Sequence, residues 1–192
     1  IRVGTSIMKL PVTIVGTGTG FSYDDAGPTH HLFEDVAVMR TLPHMTINSA
    51  SDNTMARKLA ESSRHLATPN YIRLERHINP NIYGEEEDFS DGFQVLKEGK
   101  DGCIISNGFM LWKVFKLAEM LSDHGLEVSV VDLHTYPCNE DNLTSFLSQA
   151  PRIITVEENF LPGAMGSYVM EMLGDRQIHK NIKTEKSELL QD

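Results

Sequence analysis

Two adjacent imidazoles, His30 and His31, close a loop that opens on three alternating glycines, Gly16, Gly18 and Gly20. Imidazoles are the side chains best suited to moving protons near neutral pH. Gly27, Pro28 and Thr29 stand just before the pair, and the proline fixes the local backbone and so the approach of both rings. The glycines let the chain take positive φ angles and come close to a bound group. The apolar run Leu10–Val15 ends at Gly16, and a helix-like segment starts at Leu32. The stretch GTGTGFSYDDAGPTHH therefore reads as a loop presenting histidines at the carboxyl end of a strand. Glycine-rich connectors are also common after strands, and most single histidines are structural, so the pattern alone leaves the role of the loop open. It is not a dinucleotide fingerprint. Position 21 is Phe where G-x-G-x-x-G needs its third glycine, and a long loop replaces the immediate helix N-terminus.

Composition sets outer bounds. The chain has 192 residues, 40% apolar and 23% charged, ordinary for a soluble globular protein with one large or two small cores. A formal net charge of −10 argues against a nucleic-acid surface, which needs clustered Lys and Arg. No apolar run approaches the roughly 20 residues that cross a bilayer. Cys103 and Cys138 lie in no paired or metal-ligand spacing, which suits a reducing, cytoplasmic setting. The chain starts at Ile1 without a signal-peptide pattern, as a fragment or processed product would.

The elements that must position the histidines alternate between types. Val12–Val15, Met45–Asn48 and Tyr71–Leu74 read as strands, with helices at Leu32–Thr41 and Asn53–Ala67 between them. Ser51 or Asp52 caps the second helix, and Pro69 ends the segment after it. His77–Gly92 is polar, carries the acidic run Glu85–Asp88, and has neither helical nor strand period; it reads as a linker with a solvated charge run. A second block follows. Strands are expected at Gly102–Ser106, Leu126–Leu133 and Arg152–Glu157, with helices at Phe109–Asp123, Glu140–Gln149 and Ala164–Leu173. Trp112, Phe115 and Met120 follow helical spacing and read as core. The prediction is an α/β chain of two parallel-type α/β domains, 1–80 and 93–192, joined by 81–92. Ligands of such sheets bind beyond the carboxyl ends of strands, which puts Gly16–His31 and Glu157–Gly166 on the functional rims.

These residues carry a family resemblance. LPVTIV at Leu10–Val15, the glycine loop, GPTHH, and EDVAVMRTLPHMTINSASDN at Glu34–Asn53 resemble the pyrimidine-binding domain of transketolase-like thiamine diphosphate enzymes. Tyr71–Arg76 sits where that family places a strand ending in an arginine. Asp101–Gly108 and ITVEENFLPGAMGSYVMEML at Ile154–Leu173 resemble the transketolase C-terminal domain, a pattern shared with 2-oxoacid dehydrogenase β-subunits.

The resemblance implies a ketol transferase using thiamine diphosphate and Mg²⁺, with a site between subunits. The family's pyrimidine-activating glutamate and stacking aromatics lie upstream of Leu10, and its Asp-Gly and Asn metal motif is absent. The chain alone is therefore expected neither to bind the cofactor well nor to catalyse, and to need a homo-oligomer or an N-terminal transketolase subunit as partner. His30 matches the histidine facing cofactor and substrate, suited to proton transfer. Arg76 matches the arginine that grips a sugar phosphate, where a planar charged fork suits bidentate binding. Arg73 is a second phosphate candidate, since 1-deoxyxylulose-5-phosphate synthases carry two arginines at this spacing. His31 is a further substrate-binding candidate, with helix capping as its alternative. Gly18 stands where transketolases proper have a histidine, and Ala26 where they have an aspartate, both of which touch sugar hydroxyls. Three readings follow: ketol transfer on a divergent sugar substrate, a deoxyxylulose-phosphate-synthase-like acyloin condensation, or a non-catalytic α/β assembly subunit. Glu157 and Glu158, a possible carboxylate pair on pattern alone, read as structural or interfacial within this family.

Overall fold

The computed structural model describes residues 1–77, 80–178 and 182–186. Ile78 and Asn79, at the start of the expected connection, and the positions after Lys186 lie outside the described residues.

The first sheet is built from β1 (Thr13–Thr17), β2 (Thr46–Ser49) and β3 (Asn70–Leu74), all parallel, in the order β1-β3-β2. Tyr71 lies opposite Ile14 on one side and Ile47 on the other. Helices α1 (Asp35–Arg40) and α2 (Asn53–Ser63) make the crossovers. Both are shorter than their apolar patterns suggested. The α2 start falls where expected, because the Asp52 side chain accepts from Met55 N at 2.7 Å and satisfies an orphan N–H of the first turn.

The second sheet runs β4-β6-β5-β8-β9, from β4 (Phe93–Lys97), β5 (Gly102–Ser106), β6 (Val128–Leu133), β8 (Ile153–Glu157) and β9 (Ile182–Lys186). Helices α3 (Gly108–Asp123), α4 (Glu140–Leu147) and α5 (Met165–Asp175) complete the block. The chain is thus α/β with two mainly parallel sheets. Three strands escaped the pattern. β4 pairs antiparallel with β6 and β9 extends the other edge. The two-residue β7 (Thr135–Tyr136) leaves its own block and pairs antiparallel with β2, completing the first sheet. The reading of α3 also needs correction. Leu111, Val114 and Ala118 hold its buried face, whereas Met120 is 54% exposed and Trp112 and Phe115 are half-buried.

One apolar cluster runs through both sheets, joining Ile47 and Tyr71 to Ile105, Val131, Leu133, Leu143, Ile153 and Leu173. The strands' carboxyl ends meet across this core. Gly108 N donates to Ser51 Oγ at 3.0 Å, Phe109 N to Glu75 Oε1 at 2.8 Å, and Asn159 Nδ2 to Asp35 Oδ1 at 3.0 Å.

Candidate functional site

The glycine-rich loop leaves the carboxyl end of β1 and is tied down at both ends. Gly18 N donates to Leu74 O of β3 at 2.9 Å, and Gly20 and Leu32 exchange backbone bonds of 2.9 and 3.2 Å. Gly18 and Gly20 hold φ angles of +78° and +59°, which L side chains rarely adopt. Their missing side chains leave hollows already filled from within. A Cβ on Gly18 would collide with the Tyr23 ring, and one on Gly20 with the Glu158 carboxylate.

The structure brings two of the four candidate residues together. His30 is exposed at the loop's end, its Nδ1 3.0 Å from Thr29 Oγ1. Its ring lies 5.9 Å from that of Tyr23, and the Arg76 guanidinium sits 4.0 Å above the same Tyr23 ring. Tyr23 is therefore the shared neighbour of His30 and Arg76, a residue that sequence reasoning missed. His31 points elsewhere, edge-on to Phe21 at 5.1 Å and tilted to Phe33 at 5.7 Å, its Nε2 buried without a partner among the described residues. Arg73 is 4% exposed. Its Nε and Nη2 donate to Asp35 at 2.6 and 3.3 Å, and its Nη1 to Ser49 Oγ at 3.1 Å. Tyr71 and Asn159 donate to the same Asp35 carboxylate, so this guanidinium is engaged in an internal ion-pair network.

Behind the loop lies a group of carboxylates. Glu75 follows β3; burial pushes its carboxyl up to about 7, against the pull of the Phe109 N–H. Its Oε2 is buried with no partner among the described residues. Burial also raises Glu158, which receives the Phe21 backbone N–H, with Lys113 opposing the shift. Glu157 is spent on structure, accepting Met165 N and Gly166 N at 2.9 and 2.7 Å to cap α5. Glu75 carried no signal beyond its place beside Arg76, since a carboxylate at a strand end is ordinary in sequence.

Among the described residues no three His, Cys, Asp or Glu side chains converge as metal donors, and the hollows at Gly18 and Gly20 hold Tyr23 and Glu158. What the loop and the end of β3 together can do is place an imidazole and a guanidinium on one exposed rim, an arrangement for binding an anionic substrate and moving a proton.

Comparison with known proteins defines the class. Residues 1–80 match the model for the transketolase pyrimidine binding domain and residues 92–189 that for the transketolase C-terminal domain. The chain belongs to the transketolase family. It is 30% identical over 182 residues to one subunit of the apulose-4-phosphate transketolase of Phocaeicola vulgatus, covering 93% of this chain and 58% of that protein. It is 33% identical over 155 residues to the 1-deoxy-D-xylulose-5-phosphate synthase of Desulfitobacterium hafniense, covering 79% of this chain and 25% of that one. A solved structure described as a split gene transketolase, inactive beta4 tetramer, superposes with a TM-score of 0.86 at 31% identity, over 96% of this chain and 60% of that one. The chain thus spans less than two thirds of the relatives it matches.

Proposed function

We propose that this chain is the C-terminal part of a transketolase-like enzyme that moves a two-carbon ketol unit between sugar phosphates. Thiamine diphosphate and Mg²⁺ serve the complete enzyme, held mainly by residues outside this chain. The observation that carries the reading is the grouping of His30 and Arg76 about Tyr23 at the carboxyl ends of β1 and β3. His30 passes a proton to or from a substrate oxygen. Arg76 binds the phosphate, while His31, packed against Phe21 and Phe33 away from the pair, is left out of the substrate site. Arg73, drawn into the Asp35 pair, braces the end of β3 instead. A synthase-like acyloin condensation, whose resemblance rests on the spacing of Arg73 and Arg76, stays as the second chemical reading.

In this reading residues 1–80 form part of the pyrimidine-binding domain, 81–92 the connection and 93–192 the C-terminal domain. The partner is an N-terminal transketolase subunit or a second copy of the chain, in keeping with the subunit and split-gene names of its relatives. No described helix is long and apolar enough to cross a membrane, and we place the enzyme in the cytoplasm, with no nucleic-acid partner.

Reconstitution tests the proposal. By calorimetry with Mg²⁺ in excess, the isolated chain should bind thiamine diphosphate weakly or not at all. Joined to a pyrophosphate-domain polypeptide, it should bind the cofactor and transfer ketol units. His30→Ala should then lower kcat by about 10²–10⁴-fold, and Arg76→Ala should mainly raise KM for phosphorylated substrates. A reconstituted His30→Ala enzyme turning over at the wild-type rate would make the loop structural. An assembly inactive in every form would favour the non-catalytic subunit.

A further inference from the structure

We propose that the Tyr23 ring is the platform that aims the Arg76 guanidinium at the phosphate of a sugar phosphate, seated in the space that a side chain at position 18 would otherwise take. The inference rests on the sugar-phosphate reading of Arg76 given above.

An exposed arginine on a loop samples many rotamers, and ordering it weakens any contact it makes. A ring face beneath the guanidinium narrows that sampling through cation–π attraction. The planar group keeps its N–H donors in its own plane, where a bidentate contact to phosphate forms. Arg76 is exposed, and its guanidinium carbon lies 4.0 Å from the Tyr23 centroid.

The platform is itself pinned from two sides. Below it is the hollow at Gly18, where any Cβ would overlap the ring. Beside it is the His30 ring at 5.9 Å. Gly18 is moreover bound to the strand that delivers Arg76, through its N–H to Leu74 O at 2.9 Å. Loop, ring and arginine therefore share one local frame. A larger residue at position 18 and the Tyr23 ring cannot occupy the same hollow. Gly18 thus leaves the room in which the ring that seats the arginine lies.

The test uses the chain assembled with its pyrophosphate-domain partner, with inorganic phosphate and D-ribose 5-phosphate as probes, affinities by calorimetry and steady-state kinetics alongside. Arg76→Ala should weaken both probes by tenfold or more. Tyr23→Leu should weaken both about three- to tenfold, raising KM for phosphorylated substrates while leaving kcat in place. Tyr23→Phe, which keeps the ring, should bind within twofold of wild type. Tyr23→Met, a second side chain without a ring, should match the Tyr23→Leu loss and so serves if Tyr23→Leu folds poorly. Tyr23→Leu in an Arg76→Ala background should cause no further loss, because the effects run through one contact. Wild-type phosphate binding by Tyr23→Leu, with Arg76→Ala impaired, would overturn the platform and leave the phosphate role of Arg76 standing. Equal losses in Tyr23→Phe and Tyr23→Leu would assign the effect to the hydroxyl and also overturn it. Wild-type binding by Arg76→Ala would overturn both this inference and the reading beneath it.

Discussion

Arg73 and Arg76 are three positions apart on one strand end, yet burial separates their chemistry. Arg73 is enclosed and spends its donors on Asp35 and Ser49, whereas Arg76 lies over Tyr23 in solvent. Removing one partner of a buried pair leaves the other uncompensated. Asp35→Ala should therefore destabilise the fold by about 3–5 kcal/mol in denaturant titration; a loss below about 1 kcal/mol would mean that the network is not closed. Glu75 gives a pH signature. Burial holds its folded pKa at about 7 against an ordinary 4.5, so between those values the folded state binds more protons than the unfolded. Its contribution is fully present below the ordinary value and is lost as pH rises through about 7. Asp132 and Glu157, each raised by burial to about 7, act in the same sense. His134, buried and lowered to about 3, acts in the opposite one. Glu75→Gln keeps an acceptor for Phe109 N while removing one charge. Its melting temperature relative to wild type should rise from pH 5 to pH 8; an unchanged difference would place the Glu75 titration elsewhere.

At the scale of elements, α2 shows how one side chain fastens two segments. Asp52 Oδ1 caps the helix through Met55 N, and Oδ2 accepts Ile82 N and Tyr83 N of the connection at 2.7 and 2.9 Å. A lost cap alone costs about 1 kcal/mol, and two stranded N–H groups add to it. Asp52→Ala should cost about 2–4 kcal/mol and speed amide exchange at residues 82 and 83; exchange unchanged there would show that the connection is held by other contacts. The cap was legible because a Ser-Asp pair before a helical run is a strong local signal. β7 was not. Two residues, Thr135 and Tyr136, have no period to read, and only the nearby edge of β2 makes them a strand.

For the molecule as a whole, apolar surface at the amino-terminal end is the outstanding feature. Val3, Met8 and Val15 are 68%, 62% and 53% exposed, and among the described residues β1 pairs only with β3, leaving its other edge open. Covering such surface is favourable by roughly 25 cal/mol per Å², so the chain should form a dimer or larger assembly with itself or with its partner subunit. Light scattering from a stable monomer at high micromolar concentration would count against this. Local pattern alone determined the α/β class, the place of the histidine loop at a strand's end, and the motifs GPTHH and TVEENFLPGAMG that carry the family, because glycine spacing, caps and apolar runs act over a few residues. Tertiary structure alone decided that Arg73 turns inward to Asp35 while Arg76 turns outward, that Tyr23 fills the hollow at Gly18, and that Glu75 lies buried against the start of α3. Each of those depends on which residues distant in sequence meet where the strands' carboxyl ends come together, and burial and electrostatic partnership are set there, not by neighbours along the chain.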